Sequence, residues 1–127
     1  MTRRLKASEH QHQSAFFSWW RVYSKTQGIN EKLCFAIKND SRHTEAGRIY
    51  RWKEGVQAGV FDVFLSIPSG GKHGLYIELK AGDKPMSKAQ REFAEVVFRQ
   101  GYETAVARST EDAIAAVMAY LRLISRR

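Results

Sequence analysis

Asp62, Glu78 and Lys80 are the residues of this 127-residue chain whose types and spacing suit chemistry. Asp62 lies in Gly59-Val60-Phe61-Asp62-Val63-Phe64-Leu65-Ser66-Ile67, and the other two in Gly74-Leu75-Tyr76-Ile77-Glu78-Leu79-Lys80. Both runs alternate with a period of two, the pattern of half-buried β-strands. Phe61, Val63, Leu65 and Ile67 share one face of the first, and Leu75, Ile77 and Leu79 share one face of the second. Because side chains alternate, Asp62, Glu78 and Lys80 must project from the opposite faces. Two carboxylates offer hard oxygen ligands for Mg²⁺ or Mn²⁺ and leave positions for water and a phosphate oxygen. The backbone carbonyl of Leu79 is a candidate further ligand. A cation there would polarise a phosphoryl oxygen and lower the pKa of bound water. Lys80 points the same way as Glu78, placed to orient that water or to stabilise charge developing on the phosphate. The requirement is that the carboxyl groups of residues 62 and 78 converge within about 5–6 Å, a metal's coordination diameter. Exposed strands also alternate charges with no function, so Glu78-Leu79-Lys80 alone is a weak signal. Asp62 at the matching position of a neighbouring strand makes the chemical reading the stronger one.

Several elements must position these groups. Residues 68–74 form a glycine-rich connection that suits an antiparallel pair. Ser87-Lys88-Ala89-Gln90 is a capping-box pattern opening a helix to about residue 100, with Gly101 where a C-terminal glycine cap belongs. Phe93, Ala94 and Val97 form its apolar stripe, and Gln90 lies on the same side. Gln90 either closes the cap or turns toward the charged site. Ser8-Glu9-His10-Gln11 is a second capping box, predicting a helix to about residue 25 with Phe16, Trp19, Trp20 and Tyr23 facing the core. Glu9 projects from the end of that core-facing side; the alternative is a carboxylate that only complements the helix dipole.

Residues 27–30 break the chain, 33–37 read as a short strand, and 44–53 as a helix. On that helix Arg48 and Arg51 share a face, while Ile49 and Trp52 are the expected core residues. Arg42, Arg48, Arg51 and Lys53, with Lys72 in the glycine-rich connection, form the candidate phosphate-binding set; a solvated basic face is the plainer explanation. Residues 103–108 read as a last strand, and Ser109-Thr110-Glu111-Asp112 caps a final helix through residue 123. That helix is apolar on more than one side, with Ile114, Val117 and Leu121 on one and Met118 elsewhere. It is therefore either deeply buried or half of a dimer contact. The element order is αβαββαβα: an α/β fold in a single domain over residues 1–127, with helices flanking a small mixed sheet.

Lys and Arg exceed Asp and Glu by 21 − 13 = 8, and a net charge of +8 on so small a domain favours a polyanionic partner. Cys34 is the single cysteine, which forbids an internal disulfide and suits a reducing compartment such as the cytoplasm. The amino terminus has no apolar stretch behind its positive charges, and the longest apolar run, residues 113–121, falls well short of the ~20 residues that span a bilayer. His10, His12, His43 and His73 show no ligand spacing, so structural zinc is not expected. There is no nucleophile–histidine arrangement, phosphate loop or dinucleotide fingerprint.

At these residues the sequence resembles the VRR-NUC (virus-type replication-repair nuclease) family of the PD-(D/E)xK superfamily. The likeness runs through Ser8-Glu9-His10 with Gln13, Glu54-Gly55-Val56-Gln57-Ala58-Gly59-Val60-Phe61-Asp62, Gly74-Leu75-Tyr76-Ile77-Glu78-Leu79-Lys80, Ser87-Lys88-Ala89-Gln90 and Gly101-Tyr102. It covers most of the chain and is similar to the standalone members of phages and bacteria. The resemblance implies a restriction-endonuclease-like core and a Mg²⁺- or Mn²⁺-dependent phosphodiesterase acting on DNA. By it, Asp62 and Glu78 are metal ligands, Lys80 is the catalytic lysine, Glu9 a carboxylate behind the metal or on one of its waters, and Gln90 the motif glutamine. Phe61 departs from the family's usual proline before the aspartate, which shapes only the approach to the strand. The resemblance also implies that standalone members pair into homodimers and cut branched DNA such as four-way junctions, while larger relatives act on flaps.

The reading that follows is a metal-dependent DNA endonuclease selective for structure, because no separate base-reading module is visible and phosphate contacts should dominate. The competing readings are a basic nucleic-acid-binding module with a vestigial nuclease site and, more remotely, a partner-binding structural protein.

Overall fold

The apolar periodicities resolve into a four-stranded mixed sheet flanked by helices in a computed structural model, which describes residues 7–38 and 45–122. The elements are α1 (Glu9–Thr26), a 3₁₀ turn (Glu31–Leu33), β1 (Cys34–Ala36), α2 (Glu45–Lys53), β2 (Val63–Leu65), β3 (Leu75–Leu79), α3 (Lys88–Arg99), β4 (Glu103–Ala107) and α4 (Thr110–Arg122). The strands lie in the order β1-β2-β3-β4. β1 and β3 pair antiparallel with β2, and β4 pairs parallel with β3 through α3.

The core fills the space between one face of the sheet and helices α1 and α4. Val63, Leu65, Leu75, Ile77 and Leu79 meet Phe16 and Trp20 of α1 and Ala113, Val117 and Tyr120 of α4, all buried. Burial of each large apolar side chain contributes about 1.5–3 kcal/mol. Polar atoms drawn into this layer are satisfied. Trp20 Nε1 donates to the Glu31 carbonyl at 2.9 Å, and Tyr120 Oη donates to the Ile67 carbonyl at 2.6 Å. The two-sided apolar character of α4 is thus accounted for by burial, with Ile114 and Leu121 packed against the same core.

The other sheet face carries aromatics. Phe64 and Tyr76 lie 4.4 Å apart, and Phe93 of α3 meets Tyr76 edge-on at 5.1 Å and Phe61 at 5.4 Å. Phe61 therefore packs under α3 and not with Val63, Leu65 and Ile67 as expected, because it precedes the start of β2 and strand alternation does not reach it. These rings seat α3 over the strands that carry Asp62 and Glu78. α3 ends as its sequence predicts: Gly101 takes φ 90°, with Gly101 N donating to the Phe98 carbonyl and Tyr102 N to the Val97 carbonyl.

Several expectations shift. β2 is shorter than the run 59–67, because Gly59 at φ 85° turns the chain before the ladder begins. The pairing with β1 still extends one step each way, through Ile37 N to the Asp62 carbonyl and Ser66 N to the Leu33 carbonyl, both 2.7 Å. β1 begins at Cys34, because Asn30 Oδ1 caps a 3₁₀ turn by accepting from Lys32 N. The larger correction concerns α2. Ile49 and Trp52 are not core residues; they are 49 % and 67 % exposed, and α2 buries none of its side chains. α1 and α4 already fill the core layer, so the apolar residues of α2 have nothing of the sheet left to cover.

Candidate active site

The antiparallel register sets Val63 opposite Ile77, which carries Asp62 to the position opposite Glu78. Asp62 is held from two sides. Its carbonyl accepts from Ile37 N, and its Oδ2 accepts from Leu79 N at 2.9 Å. The Asp62 and Glu78 carboxyl groups face one another closely enough that the charge on Asp62 raises the Glu78 carboxyl. Lys80 N donates to the Ala107 carbonyl at 2.9 Å, which keeps the backbone extended past β3 and leaves the Lys80 side chain on the face of Glu78. Its Nζ lies 4.0 Å from Glu78 Oε2.

These groups leave the apolar face, as alternation requires, yet Glu78 and Lys80 are buried, only 4 % and 7 % exposed. Gln90 covers Glu78. Its Oε1 accepts from Ser87 N at 2.9 Å, closing the capping box, and its Nε2 donates to Glu78 Oε2 at 2.7 Å. The two roles considered for Gln90 are therefore compatible, one at each end of the amide. Glu9 sits at the first turn of α1, where the dipole favours it, and its Oε1 also accepts from Ala81 N at 3.3 Å. It thereby reaches across to the end of β3.

Burial pushes the Glu78 carboxyl up to about 8 from its usual 4.5; the Asp62 charge adds to the rise and Lys80 opposes it. Burial also raises Asp62, against the Leu79 N–H that steadies its charge. Two carboxylates in a partly dry site favour either a shared proton or a cation. Glu78 Oε1 is buried and has no hydrogen-bond partner among the described residues. A buried oxygen left this way fits a cation ligand, and two hard carboxylates suit Mg²⁺ or Mn²⁺. Among the described residues no group of three His, Cys, Asp or Glu side chains could form a cage. A cation here would keep several waters, as Mg²⁺ commonly does.

The site opens into a cleft of about 580 Å³ whose lining includes Glu9, Asp62, Glu78, Lys80 and Gln90, with Arg48, Arg51 and Lys84. Of the candidate phosphate-binding set, Arg48 and Arg51 reach the cleft. Lys53 is exposed on α2 and is not among its lining residues. Lys72 lies beyond the opposite end of β3, with Nζ 4.0 Å from the Phe98 ring centroid. Arg42 lies outside the described residues.

Three contributors escaped the sequence reading. Lys84 lines the cleft from the loop after β3, where Arg108 holds the carbonyls of Gly82 and Lys84. No local periodicity marks that contact. Gly59 packs so closely that a Cβ would stand 2.3 Å from the Ala89 carbonyl carbon and oxygen. Its place directly ahead of the run that carries Asp62 was the available signal. Trp52 also lines the cleft; as an apolar residue at helical spacing it read as core.

No helix among the described residues is long and apolar enough to cross a membrane. No curated protein matches the chain. A solved structure described as "VRR_NUC domain protein" superposes with a TM-score of 0.73 at 28 % identity, covering 96 % of this chain and 93 % of that one. The VRR-NUC domain model matches residues 7–111, a span that takes in Glu9, Asp62, Glu78, Lys80 and Gln90. With that match over most of its length, the chain belongs to the VRR-NUC family of nucleases.

Proposed function

We propose that the protein is a Mg²⁺- or Mn²⁺-dependent DNA endonuclease, selective for branched DNA such as flaps or four-way junctions. The observation that carries the reading is Glu78 Oε1, a buried carboxylate oxygen without a partner among the described residues, beside the Asp62 carboxyl.

Asp62 and Glu78 would hold the cation, with the Leu79 carbonyl. The chemistry such a cation would supply there is polarisation of a phosphoryl oxygen and a lowered pKa for water. Gln90 fixes the Glu78 carboxylate through Oε2, and Oε1 is left without a partner among the described residues. Lys80, held in a buried position, donates toward the water or a non-bridging phosphate oxygen, where negative charge develops. Glu9 holds water at the outer side of the site, braced by Ala81 N. Arg48, Arg51 and Lys84 engage flanking phosphates, which fix the position of the strand but read no sequence.

Pairing of two copies belongs to the same proposal. The α4 residues that suggested a dimer face are used in the core, so a pairing surface would lie elsewhere; light scattering in solution reads the oligomeric state.

The test is incubation of the purified protein with labelled duplex, flap, splayed-arm and four-way substrates in Mg²⁺, Mn²⁺ or EDTA. Metal-dependent cleavage is expected, favouring branched substrates. Asp62→Ala and Lys80→Ala should abolish cleavage while junction binding persists. Full activity in either variant overturns the assignment of the site, and binding without cleavage in every metal would favour a vestigial site.

A further inference from the structure

We propose that Trp52 is a base-stacking residue, capturing an unpaired nucleotide next to the phosphate presented to Asp62 and Glu78. The inference deepens the nuclease reading above and rests on it.

Trp52 is 67 % exposed, yet it lines the same cleft as Asp62, Glu78 and Lys80. The fold accounts for the other two tryptophans. Trp20 is 1 % exposed, and Trp19 stacks on Tyr23 with ring centroids 4.6 Å apart. Trp52 has no such role, because α2 buries no residue. Arg48, Arg51 and Trp52 fall at i, i+3 and i+4, so they share a helix face, and all three line the cleft. An indole beside two guanidinium groups matches a nucleotide strand, with cations for the phosphates and a flat ring for a base. The net charge of +8 favours the same occupant. A base within a duplex has neighbours on both faces and nothing to offer the indole, whereas an unpaired base has a free face. Selectivity for branched or single-stranded segments then arises at the cleft wall.

The experiment uses the full chain in EDTA with a short single-stranded oligodeoxynucleotide and with the same sequence as duplex. Trp52 is the most exposed tryptophan, so its emission should be quenched by the single strand and much less by the duplex. Trp52→Ala should lower the ratio of single-strand to duplex affinity by roughly 5- to 150-fold, the loss of one base stack. Trp52→Phe, which keeps a ring, should restore most of that ratio. Because the side chain is exposed, thermal melts of both variants should match the parent. An unchanged ratio in Trp52→Ala overturns the proposal, as does quenching equal for both ligands. Cleavage in Mn²⁺ separates the two readings. A parent protein that cuts, with a Trp52→Ala variant that keeps its preference for branched substrates, sinks only the stacking role. Quenching by single strands from a parent that cuts nothing supports stacking and sinks the nuclease reading.

Discussion

Gln90 donates from Nε2 to Glu78 Oε2 at 2.7 Å while its Oε1 accepts from the backbone N–H of Ser87 at 2.9 Å. The Ser87 N–H can only donate, so the amide carbonyl must face it and the amino group must face Glu78. The geometry that starts α3 therefore also orients the Glu78 carboxylate.

Separating those roles is the first prediction. Ser87→Ala removes the cap hydroxyl and should cost about 1 kcal/mol of stability, with little change in Mn²⁺ affinity. Gln90→Ala should lose similar stability and in addition weaken Mn²⁺ binding or cleavage by about 10- to 100-fold. Gln90→Glu keeps the cap but sets a second carboxylate against Glu78 and should not restore activity. Calorimetric metal titration alongside thermal melts reads both effects.

Gly59 tests how tightly α3 must sit. At φ 85°, alanine is strained, and its Cβ would stand 2.3 Å from the Ala89 carbonyl group. Gly55, at φ 92° with nothing within 4 Å of an added Cβ, supplies the strain alone. Gly55→Ala should cost about 1–3 kcal/mol. Gly59→Ala should cost more and reduce cleavage as well, because it displaces the residues flanking Gln90. Equal losses of stability in the two variants, with activity intact, would count against this coupling.

Without metal, stability should fall as pH rises from about 4.5 to about 8. The Glu78 carboxyl is raised on folding, so the folded state binds a proton that the unfolded chain has released over that range. Its contribution is complete below about 4.5 and is lost as pH passes about 8. Glu78→Gln should flatten this slope in EDTA. Added Mn²⁺ should stabilise the parent increasingly over the same interval, because binding needs the deprotonated carboxylate. Thermal melts across pH, with and without Mn²⁺, give the comparison.

Phe61 stands where the family usually has proline, and the structure shows what the ring does: it is fully buried and packs 5.4 Å from Phe93. Phe61→Ala should cost about 3–5 kcal/mol. Phe61→Pro should also destabilise, although it makes the motif more typical, because the contact with α3 is lost. Urea midpoints would show it; an unchanged midpoint for Phe61→Pro would mean that the ring contributes little.

The sequence by itself determined whatever depends on near neighbours. Alternation puts Glu78 and Lys80 on one face, and the serine and glutamine of each capping box sit three residues apart and bond as expected. Gly101 ends α3 for the same local reason. Only the tertiary structure decided which distant segments meet. Asp62 reaches Leu79 across 17 residues and Glu9 reaches Ala81 across 72, distances over which no periodicity carries information. Competition for a finite core was equally invisible. Trp52 has the spacing of a core residue, and it faces the cleft because α1 and α4 had already covered the apolar side of the sheet. Local pattern specifies the direction in which a side chain leaves its own element, whereas packing among elements decides what it meets there.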